Sequence, residues 1–254
     1  MRDSVETIGN YRVLRSIGKG GMAEVFAVEK SGPAGFEKKL CLKRIRREYA
    51  DDIAFIESFE SEARIVSRLQ HPNIVQVFDF FRQERDLCLV MELIDGMDLR
   101  DVLNLVGRFG LLLPADVSVY ILESLLLALQ HAHSLTIKGE TVSVIHRDVS
   151  PHNLLISTAG VVKLADFGIA KARGLSQQTQ TGVLKGKLCY MSPEQLKGGG
   201  APIGPESDLF AAGVVFWEML AKERLFEATM EQLEKTLEAD TPKQSGSYSI
   251  PLVT

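Results

Sequence analysis

Apolar positions along the first ninety residues fall into short alternating runs. Tyr11 to Leu14 and Glu24 to Val28 read as strands joined by a glycine-rich turn, and Leu40 to Ile45 reads as a third. Asp51 to Gln70 changes period: Ile56, Phe59, Ala63 and Val66 recur at helical spacing, and His71-Pro72 stops the helix. Glu62 lies beside that stripe, three residues from Phe59 and four from Val66. Ile74 to Phe81 and Leu87 to Leu93 form a β-pair around the polar turn Arg82 to Asp86.

Past Asp95-Gly96 the pattern turns helical. Ala115 to Ser134 carries an inward stripe at Val117, Tyr120, Ile121, Leu125, Ala128 and Ala132, and Leu209 to Ala221 is apolar nearly all round, which predicts burial. The expected architecture is α+β and two-lobed: a small β-rich lobe with one main helix, a connector near Glu92 to Gly96, and a larger helical lobe. Residues 1–10 read as an N-terminal extension, 11–95 as the small lobe, 96–240 as an incomplete large lobe and 241–254 as a tail, with one more helix expected over Thr229 to Ala239. Ser134 to Ile145 reads as a surface hairpin away from any chemistry.

Bulk properties narrow the partners. The 254 residues suffice for one large domain or two small ones sharing a cleft, and a net charge of −4 gives no sign of a nucleic acid or membrane partner. Cys41, Cys88 and Cys189 lack metal-type spacing and lie in apolar settings, which suits reduced thiols in a cytosol. Met1 to Asn10 is polar and does not read as a signal peptide, and the longest apolar run, Leu209 to Trp217, falls short of the ~18 residues that span a membrane.

Chemistry concentrates in His146-Arg147-Asp148-Val149-Ser150-Pro151-His152-Asn153 and Asp166-Phe167-Gly168. One Asp there can orient and deprotonate a hydroxyl, and an Asn with a second Asp can hold Mg²⁺ through hard oxygens. Gly18-Lys19-Gly20-Gly21 lies between two strands, where backbone N–H groups can approach phosphate oxygens; an ordinary glycine hairpin fits it as well. Lys43 on its strand needs a partner if buried, and Glu62 offers one, while Lys38, Lys39, Arg44, Arg46 and Arg47 read as a solvated face. His71, His131 and His133 read as satisfied structural imidazoles. Asp208 reads as a helix N-cap that also bonds the backbone of the catalytic loop.

In this order the pieces resemble the eukaryotic-like protein kinase family, over about residues 11 to 240. The resemblance implies a two-lobed Ser/Thr kinase, bacterial in its catalytic-loop wording, using ATP and Mg²⁺ on a protein substrate, and on itself in trans. It implies that Gly18, Gly20 and Gly21 cover the phosphates, with Ile17 and Lys19 also at the nucleotide and Ala23 in place of a third glycine. Lys43 is expected on the α- and β-phosphates, paired with Glu62. Val25, Cys41 and Leu155 are expected around adenine, with Glu92 and Leu93 at its edge and Met91 as gatekeeper. Asp148 becomes the catalytic base, Asn153 and Asp166 the Mg²⁺ ligands, and Val66, Val77, His146 and Phe167 a stack anchored by Asp208. Ile169 to Met191 resembles an activation segment in which phosphate on Ser176, Thr179 or Thr181 pairs with Arg147, and Tyr190 to Glu194 resembles a Ser/Thr docking floor.

Three departures stand out. Ser150 occupies the position where the family usually has Lys, and Lys187, after Gly186, the position where it usually has Thr; a relocated charge near Asp148 or a solvent-facing Lys187 both fit. Glu194 lacks a late partner, leaving it exposed or reaching Arg173 or Arg224. The large lobe ends early, as a fragment or as a shortened form. The alternative to an enzyme is a pseudokinase-like ATP-binding scaffold.

Overall fold

The computed structural model describes residues 6–20, 23–46, 53–83, 86–167, 188–197, 202–221 and 223–226. Gly21, Gly168, Gly186, Lys187, Arg173, the three hydroxyls at 176, 179 and 181, the expected helix over 229–239 and the tail lie outside them.

The first lobe is one antiparallel sheet of six strands: β1 (Thr7–Ile8), β2 (Tyr11–Lys19), β3 (Ala23–Ser31), β4 (Glu37–Ile45), β5 (Val77–Gln83) and β6 (Asp86–Glu92), in the order β1-β2-β3-β4-β6-β5. Period-two alternation splits its side chains between two cores. Phe26, Val28, Leu40, Leu42, Cys88 and Val90 pack on one face with Ile8 and Tyr11. Ala23, Ile45, Leu87, Leu89 and Met91 face the main core, which continues into the second lobe. The unbroken apolar run Leu87–Met91 thus marks a central strand buried on both sides. Lys43 shares the main-core face with Cys41 and Ile45, because residues two apart point the same way.

The sheet begins earlier than expected. Thr7–Ile8 pairs with Tyr11–Arg12 across Gly9 (φ +59°), and Ile8 is buried, so part of the supposed extension is a strand. Arg44 is not solvated either: it bonds Glu24 at 2.7 Å and covers the Phe26 ring at 4.9 Å.

Helix α1 (Ile53–Val66) buries Phe59, Ala63 and Val66 against the sheet, as its stripe predicts. The connector holds β7 (Gly96–Asp98), then α2 (Leu99–Arg108), capped by Asp98 accepting from the Asp101 N–H at 2.8 Å. Gly96 is required there, since a Cβ would lie 2.0 Å from the Ile156 carbonyl oxygen of the paired strand. Neither β7 nor α2 was legible in the pattern.

Helix α3 (Ala115–His133) buries Ile121, Leu125, Ala128 and Ala132, but Val117 and Tyr120 are exposed, and the Tyr120 hydroxyl donates to Gly160 O. The stripe fails at the N-terminal end, where no element covers it among the described residues. A hairpin follows, β8 (Leu135–Ile137) and β9 (Glu140–Val142), turning through Lys138 and Gly139, both at positive φ. Then come β10 (Leu154–Ser157) and β11 (Val162–Leu164), which form a small sheet with β7, the short α4 (Pro193–Lys197), and α5 (Pro205–Ala221) packed on α3.

A buried polar cluster that no motif announced ties the second lobe together. Arg100 of α2 makes a two-pronged pair with Glu218 of α5 at 2.8 and 2.9 Å, and the Tyr190 hydroxyl donates to Glu218 at 2.5 Å. No described helix is long and apolar enough to cross a membrane.

Candidate active site

Asp208, in the first turn of α5, organises the catalytic loop. Its two carboxylate oxygens accept the backbone N–H groups of His146 and Arg147, each at 2.8 Å, and Nε2 of His133 lies 2.8 Å from one of them. The expected bond to the loop is present. The expected N-cap is not, because α5 starts three residues earlier at Pro205. Gln195 of α4 fixes the other side, donating to Arg147 O at 3.0 Å while accepting from the Ser192 N–H. Held from both sides, Arg147 adopts φ +63°, and Asp166 adopts φ +56°. Left-handed conformations at two non-glycine residues are strain of the kind rigid surroundings maintain at functional sites.

His146 is fully buried and its tautomer is set by its neighbours. Nε2 donates to Ala165 O at 2.9 Å, so Nδ1 is the acceptor for the Asp148 N–H at 3.2 Å. Burial holds the imidazole below its ordinary pKa of 6.5, although the carboxylate of Asp208 works against that. Its ring meets Phe167 at 4.6 Å, and Val66, Val77 and Phe167 belong to the main core.

Two pairs of chemically active side chains result. Asn153 donates to Asp148 Oδ2 at 2.9 Å and to its carbonyl at 2.6 Å. Lys43 Nζ donates to Asp166 Oδ1 at 2.7 Å. The pairs are joined by the backbone, since the Ala165 N–H donates to Asn153 O at 2.8 Å, one residue before Asp166. Because the Asn153 amide nitrogen is spent on Asp148, its oxygen is the atom left to ligate a cation.

The Lys43–Glu62 pair is not formed. Lys43 is committed to Asp166, and Glu62 Oε2 is buried without a hydrogen-bond partner among the described residues. Burial pushes the Glu62 carboxyl above its ordinary pKa, against the pull of nearby Arg147. Spacing along α1 brings Glu62 to the right side; its partner is decided by how α1 is seated.

The glycine turn forms a hairpin. Gly18 and Lys19 pair with Val25 and Glu24, and the Gly20 N–H donates to Ala23 O at 2.8 Å. A Cβ at Gly18 would meet nothing within 4 Å, so internal packing does not demand glycine there, while a backbone that must lie against phosphate would. Lys19 is turned to Glu24 at 2.9 Å, and with Arg44, the larger influence, it holds that carboxyl down at about 2. Ile17 is exposed on β2, while Val25, Cys41 and Leu155 are half-buried, the last two against the main core. Burial pushes the Cys41 thiol up to about 12, so it is an apolar wall and not a nucleophile. Glu92 gives its N–H to Gln76 O at 2.8 Å and its carboxylate to Lys163 at 2.8 Å, which removes that N–H from the expected adenine edge; Leu93 follows half-buried.

Three further expectations change. Glu194 finds Ser207 of α5, whose hydroxyl donates to it. Burial opposes its charge, but hydrogen bonds from Ser207 and Ser192 prevail and hold it below the ordinary value. His131 is not satisfied: it stacks on His71 at 5.2 Å and its Nε2 is buried without a partner among the described residues. The hairpin exit does reach the site, for Val144 and Ile145 line a cavity with Glu62 and Arg147.

Two imidazoles, His146 fully buried and His71 partly so, predict a pH response. Burial lowers the pKa of His146 and, with His131 and then Lys163, of His71. The unfolded chain therefore takes up these protons first, near 6.5. Stability contributed by the neutral rings is complete above that value and is lost as pH falls below it. The urea midpoint is expected to drop between pH 7.5 and 6.0; a midpoint rising over that window contradicts the assignment.

Comparison with known proteins agrees with this geometry. The family profile described as the protein kinase domain matches residues 11–250. MasK of Myxococcus xanthus, named a tyrosine-protein kinase, is 38% identical over 223 residues, covering 87% of this chain and 34% of MasK. PrkC of Bacillus subtilis, named a serine/threonine-protein kinase, is 37% identical over 236 residues, covering 92% and 34%. PknA of Mycobacterium tuberculosis, also named a serine/threonine-protein kinase, is 38% identical over 231 residues, covering 89% and 50%. The chain thus spans a third to a half of these relatives. The crystal structure of the M. tuberculosis PknI kinase domain superposes with a TM-score of 0.68 at 28% identity, covering 89% of this chain and 80% of that one. With the profile running through nearly all of its length, the chain belongs to the protein kinase family, among bacterial members of the eukaryotic-like kind.

Proposed function

We propose that the chain transfers the γ-phosphate of ATP to Ser or Thr hydroxyls of proteins, itself included in trans. One observation carries the reading: Lys43, Asp166, Asn153 and Asp148 form two hydrogen-bonded pairs joined through Ala165 and Asn153. Asp148 is the base that orients the acceptor hydroxyl and takes its proton. Lys43 neutralises phosphate charge once it leaves Asp166. Asp166 and the Asn153 oxygen are the residues that would hold Mg²⁺, which supplies charge neutralisation to the bridging phosphates. The donor set fits that ion, since two hard oxygens leave positions for phosphate and water.

Acceptor class rests on the docking sequence Tyr190 to Glu194 and on the names of PrkC and PknA. Incubation with Mg-ATP followed by phosphoamino-acid analysis is expected to yield phosphoserine or phosphothreonine, with added mass mapping to residues 169–191. Phosphotyrosine alone, the acceptor in the name of MasK, overturns that choice.

Ser150 is buried with its hydroxyl unpartnered among the described residues, so it does not stand in for the family Lys. The missing charge is assigned to Lys187. Lys187→Ala is expected to lower kcat by about 10–100-fold, and unchanged turnover removes the idea.

A further inference from the structure

The first turn of helix α4 is closed by its own sequence. Ser192 precedes Pro193, and its carbonyl accepts the Leu196 N–H at 3.1 Å, so Ser192 is the N-cap. Gln195, at the third helical position, reaches back and accepts the Ser192 N–H at 3.1 Å on its amide oxygen. That is the reach-back half of a capping box, a task that Glu performs as well as Gln. The cap accounts for the amide oxygen and leaves the amide nitrogen without a reason.

That nitrogen leaves the helix for the catalytic loop. Nε2 donates to Arg147 O at 3.0 Å. The amide has one workable orientation, because the flipped one sets its NH₂ against the Ser192 N–H and its oxygen against a carbonyl. Arg147 O belongs to the same peptide unit as the Asp148 N–H, which is given to His146 Nδ1 at 3.2 Å. The peptide next to Asp148 is thus held at both ends, while Asp208 holds the preceding one through the Arg147 N–H. Arg147 sits at φ +63°, a conformation that a non-glycine residue keeps only when its surroundings impose it. The void among Arg147, Asp148, Gln195 and Asp208 holds about 10 Å³, no more than the ~10–15 Å³ that one water needs. Water is therefore a poor substitute for the Gln195 bond.

We propose that Gln195 is a positioning residue for phosphate transfer: its amide N–H fixes the Arg147–Asp148 peptide and, through it, the direction of the Asp148 carboxylate. The inference rests on the phosphotransfer reading with Asp148 as base, and adds to it a residue from outside the catalytic loop. Gln195→Glu separates the two tasks of this side chain. It keeps the oxygen that closes the first turn of α4, and it puts an acceptor where Arg147 O needs a donor.

The kcat of Gln195→Glu at pH 8 is expected to fall about 10–100-fold, with the KM for ATP changed less than about twofold. The introduced carboxyl faces Arg147 O and shares the void with the Asp148 and Asp208 carboxylates, which favour its protonated form, while Arg147 opposes them. Once protonated it donates as the amide does. The ratio of its kcat to that of wild type is therefore expected to be higher at pH 5.5 than at pH 8, by about threefold or more. Gln195→Met keeps the volume without either bond; its kcat is expected to fall by a factor that does not change with pH. Either folded variant at more than half the wild-type kcat, or a loss in the Glu variant that is indifferent to pH, overturns the inference and leaves Gln195 as a cap alone. If the Met variant does not fold, the Glu variant, which retains the cap, decides. A wild-type chain that phosphorylates no protein sinks the phosphotransfer reading instead. A crystal structure of Gln195→Glu at pH 8 then decides this one: the Arg147 carbonyl turned away from residue 195 supports it, and the loop unmoved overturns it.

Discussion

Replacing Asp166 with Ala is expected to reduce phosphate transfer by at least about 10³-fold. Asp166 holds the Lys43 ammonium at 2.7 Å, is half-exposed, and is proposed to take a divalent ion together with the Asn153 oxygen. The loss should come in kcat. The fold should survive, because an ion pair with side chains 23% and 44% exposed contributes at most about 1 kcal/mol. Radiolabelled transfer measured beside thermal unfolding separates the two effects. A variant that melts like wild type and still transfers phosphate at more than a tenth of its rate contradicts the assigned role.

Asp208→Ala is expected to cost about 3–5 kcal/mol of stability. Its carboxylate is 1% exposed and accepts from His146 N, Arg147 N and the His133 ring. Removing it strands two backbone donors, one buried and one partly buried. It also frees the loop that carries Asp148, so activity and stability should fall together. Urea unfolding of the variant checks the magnitude; a change below about 1 kcal/mol means that the loop holds its shape without Asp208.

The site was legible to the extent that its residues are adjacent in sequence to strong elements. Asp148 lies just before one tight turn and Asn153 ends it, and Asp166 comes two residues after a strand, so their meeting follows once the strands pair. Lys43 was legible from alternation, since it shares a face with Cys41 and Ile45. The partner of Glu62 was not. Helical spacing fixes which side of α1 it occupies, but not how the helix is rotated and seated over the rest of the chain, and here Glu62 lines a cavity with Arg147 and residues 142–145. The Arg100–Glu218–Tyr190 cluster was invisible for a similar reason: its members are 118 and 28 residues apart, and each alone reads as a surface charge or a docking-loop tyrosine. Helix α2 buries only Leu99 completely, too little apolar signal to separate it from a connector. The opposite error arose on α3, where Val117 and Tyr120 kept helical spacing with no described element above them.

Lys43, Asp148, Asn153 and Asp166 are proposed to serve one nucleotide and its cation. The most direct test is a crystal structure of the chain with a non-hydrolysable ATP analogue and Mg²⁺. One ion is expected on Asp166 and the Asn153 oxygen, with Lys43 moved from Asp166 to the phosphates and Asp148 facing the terminal phosphate. An analogue bound elsewhere, or phosphates in the cleft with Lys43 and Asp166 still joined and no ion on Asn153, would contradict it.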